Sequence, residues 1–212
     1  MNTKRVAIFI DGSNMFYAQR ALGWRIDWAK VLTFFSKDKE LYNGFYYAAE
    51  NEGEYAQESF LRALTYMGYI VRRRPLKSIL DQETGLTLYK ANLDVDIVVD
   101  MLATMNQYDV AILMSGDGDF ERAFEFLRSR GKEVHCVSIR SMISFELLNA
   151  SDSPRYFLED LRSELQRSPE VPEYSTVGGP NSGHAYARTS DDEHGRREAG
   201  HAHRLDPVVG QD

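Results

Sequence analysis

Residues 6–14 read Val-Ala-Ile-Phe-Ile-Asp-Gly-Ser-Asn, and residues 110–119 read Val-Ala-Ile-Leu-Met-Ser-Gly-Asp-Gly-Asp. Each stretch is a short apolar run that ends in a turn rich in glycine and aspartate. Uninterrupted apolar runs are typical of central strands in a parallel sheet, because helices cover both faces of such strands. The two stretches therefore predict two central strands, each with an acidic tip.

Strand and helix patterns alternate on both sides of these runs. The predicted strands are 5–10, 41–48, 69–73, 110–114 and 133–138, and the predicted helices are 14–21, 27–35, 54–67, 95–105, 120–130 and one from 144. Strands separated by single helices need crossover connections. The sequence thus predicts a three-layer α/β/α domain with a central, mostly parallel sheet, interrupted at 75–92 by two short extended arms around a turn at 81–85.

Composition limits the class of protein. A chain of 212 residues suits one well-buried domain, and no run approaches the roughly 18 apolar residues of a membrane span. The only cysteine, Cys136, lies in an apolar strand, which indicates a buried, inert thiol and excludes a disulfide framework. We expect a soluble, cytoplasmic protein without a membrane partner.

The composition changes near Gln166. From Arg167 onward, prolines, paired glycines and charged residues replace the apolar periodicity. Such a segment cannot bury enough apolar surface to offset the entropy of ordering it. We therefore predict a folded domain at 1–166 and a disordered tail at 167–212, which would be available to a protein partner.

The acidic tips define the predicted site. Ligands of open parallel sheets bind beyond the carboxyl ends of the strands, where Asp11 follows the first central strand and Asp117 and Asp119 follow the second. Nearby glycines allow a ligand to approach the backbone. An alternative is that Asp11 and Asp119 only cap the helices that follow them.

A third acid comes from the predicted helix 95–105. On a helical wheel, Asp94 falls within an apolar stripe, whereas Asp96 and Asp100 lie on the opposite face, which we expect to be solvated. The stripe consists of Val98, Met101, Leu102 and Met105. Asp94 alone would point towards the protein, as a ligand or as a cap of its own helix.

Three converging carboxylates would repel one another strongly. Each pair about 4 Å apart costs on the order of 4 kcal/mol at an effective dielectric near 20. A divalent cation removes this repulsion, and ligation by oxygen alone favours Mg²⁺ or Mn²⁺ over Zn²⁺. The sequence therefore predicts that Asp11, Asp94 and Asp117 hold Mg²⁺ or Mn²⁺.

Three motifs in this chain resemble the NYN branch of the PIN-like nucleases, most closely its LabA-like members. They are residues 8–14, 90–101 and 115–120, and the resemblance extends over roughly residues 4–161. Each motif is weak alone. Their order on a strand tip, a helix start and a second strand tip is a specific combination.

The resemblance implies a PIN-like fold and metal-dependent hydrolysis of RNA. Asp11, Asp94 and Asp117 match the metal-binding acids of the family, and Asp119 would be a fourth. Asn14 and Ser115 would orient ligands or bound waters. Asp96 is an additional acid beside the usual position, so the choice of Asp94 depends partly on the helical wheel.

RNA would need local contacts, because the net charge of −7 argues against indiscriminate binding of polyanions. Residues 72–74 are three arginines which, with Lys77 and Lys90, would form a phosphate-contacting rim. An equally good interpretation of the arginines is a charged edge strand. The tyrosines proposed to stack on RNA bases are Tyr17, Tyr69 and Tyr89, and the alternative is that they are packing residues, which is the more common role.

Two other functions stay open at this point. One is an RNA-binding or regulatory module that keeps the fold without catalysis, in agreement with the net acidity and the tail. The other is phosphotransfer through a phosphorylated Asp11, which is disfavoured because residue 13 is serine and not the second aspartate of haloacid-dehalogenase-like enzymes. The sequence also leaves open a homodimer.

Overall fold

The computed structural model describes residues 3–50, 55–80, 87–90 and 93–168, with 77–80 and 87–90 at the level of the backbone. Its strands are β1 Arg5–Asp11, β2 Glu40–Glu50, β3 Tyr69–Pro75, β4 Lys77–Leu80, β5 Thr87–Lys90, β6 Val110–Met114, β7 Glu133–Ser138 and β8 Tyr156–Phe157. Its helices are α1 Gly12–Leu22, α2 Trp28–Phe35, α3 Tyr55–Tyr66, α4 Leu93–Ala103, α5 Glu121–Ser129, α6 Phe145–Ala150 and α7 Arg162–Leu165, with 3₁₀ turns at Met105–Gln107 and Gly118–Phe120.

The main sheet has six strands in the order β3-β2-β1-β6-β7-β8, and all neighbours in it are parallel. This confirms the three-layer α/β prediction and the central position of β1 and β6. The chain moves outward from β1 to β3, returns to β6 beside β1, and then moves outward in the other direction. The order therefore reverses between β1 and β6, which opens a crevice at their carboxyl ends.

Both faces of the sheet are buried, as the continuously apolar strands required. Along β1, Val6, Ile8 and Ile10 pack into a core with α1, α2, α3 and α7. Ala7 and Phe9 point to the opposite face and pack with α4, α5 and α6. The rings of Phe9 and Phe45 stack there with centroids 5.1 Å apart.

Several helices begin where a polar side chain can accept from free backbone N–H groups. The Asp27 carboxylate caps α2 and the Ser144 hydroxyl caps α6. Gly131 follows α5 with φ of 75°, a left-handed conformation that favours glycine after a helix. Two helices begin two residues earlier than predicted. Helix α1 begins at Gly12, directly after its cap Asp11, and α4 begins at Leu93.

The excursion between β3 and α4 contains the two predicted extended arms. They pair as the antiparallel strands β4 and β5. The turn predicted at 81–85 and nearly all of the predicted tail lie outside the described residues. Among the helices that the structure describes, none has the length and apolar character needed to cross a membrane.

Candidate functional site

The carboxyl ends of β1 and β6 meet at the crevice where the strand order reverses. Ile10 pairs in register with Met114, so the chain leaves both strands at the same height. Asp11 comes directly after Ile10 as the last residue of β1, and Ser115, Gly116 and Asp117 come directly after Met114. The two acidic tips predicted from the sequence are thus brought together by the pairing of their strands.

Asp11 is a buried residue, 6% exposed. One of its oxygens accepts from the backbone N–H of Asn14 at 3.1 Å, and the other accepts from the Ser115 hydroxyl at 3.1 Å. Burial raises the pKa of Asp11, hydrogen bonds from Asn14, Ser115 and Ser13 oppose the rise, and the nearby charge of Asp117 adds to it. The site therefore holds a buried acid for which the ionised form is unfavourable.

Two polar side chains join the tips of β1 and β6. The Asn14 side-chain oxygen accepts from the Gly116 N–H at 3.2 Å, and the Ser115 hydroxyl oxygen accepts from the Asp117 N–H at 3.3 Å. Ser115 itself is fully buried, so it positions Asp11 and Asp117 from below. These contacts fix the relative position of the two acidic turns.

The turns are close-packed at two glycines. A Cβ atom on Gly12 would lie 2.5 Å from the Tyr47 carbonyl oxygen, and one on Gly116 would lie 2.4 Å from the Met142 carbonyl oxygen. Neither backbone atom can move away as a flexible side chain would. Glycine is therefore required at both positions by the close approach of neighbouring backbone.

A cavity of about 280 Å³ opens over these turns. Asp11 and Asp117 line it together with Asp94, which α4 presents from the side. The other lining residues are Ser13, Asn14, Tyr17, Leu93 and Met142. The three aspartates singled out in the sequence thus face one space, although they come from three separate segments of the chain.

The three carboxylates share the cavity without forming a preassembled ligand set. Within the described part of the chain, no three acidic, histidine or cysteine side chains are gathered closely enough to hold an ion among them. The donor chemistry nevertheless fits a hard cation, because the available ligands are carboxylate oxygens and Asp11 is buried beside the like charge of Asp117. Neither Asp11 nor Asp117 forms an ion pair with a described residue.

Asp119 occupies a different place from the other three acids. It is exposed in the 3₁₀ turn after β6, and its N–H donates to the Asp117 carboxylate at 3.0 Å. It is not among the residues that line the cavity. The contact with Asp117 is made by the backbone N–H of Asp119 and not by its carboxylate.

Asp96 and Asp100 are not solvated as the helical wheel led us to expect. Arg74 donates two hydrogen bonds of 2.6 Å to Asp96, and Arg72 donates two to Asp100 at 2.9 and 3.1 Å. The expectation was wrong because α4 buries Leu93, Ile97 and Met101, which turns Asp96 and Asp100 towards the arginines of β3. The same contacts separate Asp96, which pairs with Arg74, from Asp94, which lines the cavity.

The arginines of the proposed phosphate rim are therefore engaged within the protein. Besides Arg72 and Arg74, Arg73 pairs with Glu50 at 3.2 Å. All three lie on β3, which is an edge strand of the sheet. This placement favours the charged-edge interpretation. The side chain of Lys90 lies outside the described residues.

Tyr47 was missed by the sequence interpretation. Its ring is fully buried, it pairs in register with Asp11, and its hydroxyl donates to Asp100 at 2.9 Å. The residue thus links the strand beside Asp11 to the helix that carries Asp94. No local pattern signals this role, since the apolar run of β2 explains a buried tyrosine equally well.

The three tyrosines proposed to stack on RNA have different surroundings. Tyr17 is 59% exposed and lines the cavity. Tyr69 cannot stack on a base, because it is 3% exposed in the core and its hydroxyl donates to the Trp28 carbonyl at 2.8 Å. The side chain of Tyr89 lies outside the described residues. Cys136 is buried, as predicted.

Comparison with known proteins gives matches over most of the chain. The NYN domain profile matches residues 5–164. The chain is 45% identical over 173 residues to "Low amplitude and bright protein LabA" of Synechococcus elongatus, covering 80% of this chain and 91% of that protein. A crystal structure of a protein of unknown function from Vibrio parahaemolyticus superposes with a TM-score of 0.64 at 23% identity, covering 78% of this chain and 97% of that one. The latter likeness concerns the fold.

Proposed function

Since the chain belongs to the NYN domain family, whose members are typically nucleases, we propose that it is a metal-dependent ribonuclease that hydrolyses phosphodiester bonds of single-stranded RNA. The reaction would take place in the cavity at the carboxyl ends of β1 and β6. The proposed cofactor is Mg²⁺ or Mn²⁺, in line with the general divalent-metal dependence of PIN-like nucleases.

One observation carries the proposal. Asp11, Asp94 and Asp117 come from a strand end, a helix start and a second strand end, yet all three line one cavity. Helix capping explains the Asp11 carboxylate, which accepts from the Asn14 N–H, but it does not explain why three acids share a space. Like charges in a partly buried cavity are costly unless a cation binds there.

Asp11, Asp94 and Asp117 would be the ligands of the ion. When bound, it would supply activation of water and neutralisation of phosphate charge. Asn14 and Ser115 would act through the carboxylates, because they hold the two turns at a fixed separation. The exposed Asp119 would support the Asp117 turn through its N–H.

The decisive experiment is replacement of Asp117 by asparagine. We expect the purified protein to cleave single-stranded RNA with Mg²⁺ or Mn²⁺, and the Asp117→Asn variant to fall to the level seen in chelator. A matched control is Asp38→Asn, because Asp38 is an exposed acid just before β2. It lies at the amino-terminal ends of the strands, whereas the cavity lies at their carboxyl ends. Cleavage that survives Asp117→Asn would refute the proposal. DNA of the same sequence tests the preference for RNA.

A second candidate is an RNA-binding or regulatory protein that keeps the fold without catalysis. It is favoured by the absence, among the described residues, of a preassembled group of metal ligands. In that case RNA would bind equally well with Mg²⁺ and with chelator. The bound RNA would stay uncleaved over hours at any metal concentration. Gel analysis of the RNA after a binding titration separates the two candidates.

A further inference from the structure

Helix α1 carries an exposed strip that begins at the cavity. One face of the helix carries Ser13, Phe16, Tyr17 and Arg20, because Phe16 and Tyr17 come three and four residues after Ser13 and Arg20 comes four and three residues after them. All four are exposed, and Ser13 and Tyr17 line the cavity. The strip therefore leads from the carboxylates outward over roughly 10 Å of helix, at about 1.5 Å per residue.

The two aromatic residues of the strip are neighbours that the core does not use. Phe16 is 54% exposed and Tyr17 is 59% exposed. Their rings contact each other edge to face, with centroids 5.4 Å apart and planes at 78°. Isolated exposed apolar residues are common. Two adjacent rings at the rim of an acidic cavity have a more specific use, because more than half of each residue is open to a ligand.

Arg20 completes the strip with a positive charge. Its guanidinium carbon lies 5.8 Å from the centre of the Phe16 ring, and it makes no ion pair with any residue that the structure describes. By contrast, Arg72, Arg73 and Arg74 are each paired with an acid. Arg20 is therefore available to a phosphate without loss of an existing ion pair.

Stacking of bases on the two rings would add to the single positive charge of Arg20. Binding of single strands combines backbone electrostatics with stacking of bases on aromatic rings, and stacking tolerates any base because every base has a π-face. A duplex hides these faces between its own base pairs. An acidic protein with aromatic rings beside its cavity is therefore suited to unpaired nucleotides.

We propose that Phe16 and Tyr17 form a stacking platform for unpaired bases of RNA, with Arg20 contacting a phosphate of the same strand. The platform would hold the nucleotides that flank the one in the cavity. This inference rests on the proposed function for its substrate class, and it adds the surface that selects single strands.

The test compares RNA binding by surface variants of the full chain. Equilibrium binding of a fluorescent single-stranded RNA is measured in the Asp117→Asn background, with Mg²⁺ and with chelator, so that no cleavage interferes. We expect Phe16→Ala and Tyr17→Ala each to weaken binding about tenfold. Tyr17→Trp, which keeps an aromatic ring at this position, should bind as tightly as the chain with Tyr17. The matched control is Tyr66→Ala, since Tyr66 is 85% exposed at the carboxyl end of α3. This end precedes β3 and lies near the amino-terminal ends of the strands, away from the cavity.

A spectroscopic readout separates stacking from a general effect on the fold. An RNA with 2-aminopurine beside the cleavage position should lose fluorescence on binding, and this quenching should disappear with Tyr17→Ala. Duplex RNA of the same sequence should bind more weakly than the single strand and should respond little to the variants.

Three results would overturn the platform: unchanged affinity in both alanine variants, an equal loss in Tyr66→Ala, or duplex binding that equals single-strand binding. The two proposals fail separately. If RNA binding depended on Tyr17 but the unmodified chain cleaved no RNA, the ribonuclease proposal would be refuted and the stacking platform would be supported. If the unmodified chain cleaved RNA but the alanine variants bound RNA with unchanged affinity, the platform would be refuted and the ribonuclease proposal would be supported.

Discussion

Asp11 can be understood either as a helix cap or as a metal ligand, and the two roles have opposite consequences for stability. A capping carboxylate stabilises the folded chain. A buried acid whose pKa is raised, chiefly by burial, destabilises the folded chain when it ionises. The folded protein then holds this proton more tightly than the unfolded chain. The stability contributed by protonated Asp11 is complete below the ordinary pKa of 3.8 and is lost as the pH rises through the raised pKa.

We therefore expect Asp11→Asn to be more stable than the unmodified chain in chelator at pH 7, and the difference to shrink as the pH falls towards 4. Addition of Mg²⁺ should reverse the order, because only the unmodified chain binds it tightly. At about 100 times the dissociation constant, binding adds roughly 2.7 kcal/mol, or several degrees of Tm. Thermal unfolding monitored by circular dichroism measures both effects.

The control for this comparison is Asp27→Asn, which changes the partly buried cap of α2. Asparagine caps about as well as aspartate, so its Tm should change little and should not depend on Mg²⁺. If Asp11→Asn were instead less stable in chelator at pH 7, Asp11 would be a structural cap and the metal role would be lost.

Residues at the site differ in how far the sequence could predict them. Asp11, Asp94 and Asp117 end or begin regular elements, so their common location follows once the strand order is known. The partners of Asp96 and Asp100 could not be found in this way. Their arginines lie 22 and 28 residues earlier on β3, and a charged edge strand reads the same whether its arginines face solvent or a neighbouring helix.

At the scale of elements, α4 is held to the sheet by its apolar packing and by hydrogen bonds from side chains of β2 and β3. Arg72 and Tyr47 both donate to Asp100, and Arg74 donates to Asp96. Both arginines are half exposed, so solvent screening weakens each of these ion pairs. Tyr47 is buried, so its hydrogen bond to Asp100 contributes more to stability than the exposed ion pairs do. These attachments set the position of the helix that brings Asp94 to the cavity.

Tyr47→Phe should therefore weaken both the fold and the site. We expect a loss of about 1 to 2 kcal/mol for a buried hydrogen bond to a charged acceptor, or roughly 2 to 8 °C in Tm. Mg²⁺ affinity, measured by calorimetric titration, should also fall, because α4 can shift when one of its attachments is lost.

The matched control is Tyr69→Phe, which removes an equally buried hydroxyl whose acceptor is the Trp28 carbonyl on the other side of the sheet. It should lower the Tm without changing Mg²⁺ affinity. Equal affinities in Tyr47→Phe and the unmodified chain would show that α4 needs no such attachment to present Asp94.

Element types were more predictable than element boundaries. β6 and β7 have the predicted limits, since turn residues and charges flank their apolar runs. β2 is longer than predicted, from Glu40 to Glu50, because its ends are only partly buried and carry polar residues that the apolar pattern omits. Hydrogen bonding to β1 and β3 extends the strand beyond that pattern.

At the scale of the whole molecule, the folded part reaches slightly beyond the boundary predicted at Gln166. Leu165 is fully buried, and its carbonyl accepts from the Asp27 N–H at 2.8 Å. The N–H of Arg167 donates to the Arg25 carbonyl at 2.8 Å. The apolar pattern ends at Leu165, but backbone pairing continues because it does not depend on side-chain type.

A chain that ends at Ser168 should therefore unfold at the same temperature as the full chain, whereas one that ends at Leu161 should not. The shorter chain loses Leu165 and the backbone contacts around it, and burial of one leucine side chain contributes about 1.5 to 3 kcal/mol. We expect its Tm to fall by roughly 3 to 12 °C, as measured by scanning calorimetry. If the chain ending at Ser168 lost as much as the shorter one, residues 169–212 would contribute to the fold and the proposed tail would be wrong.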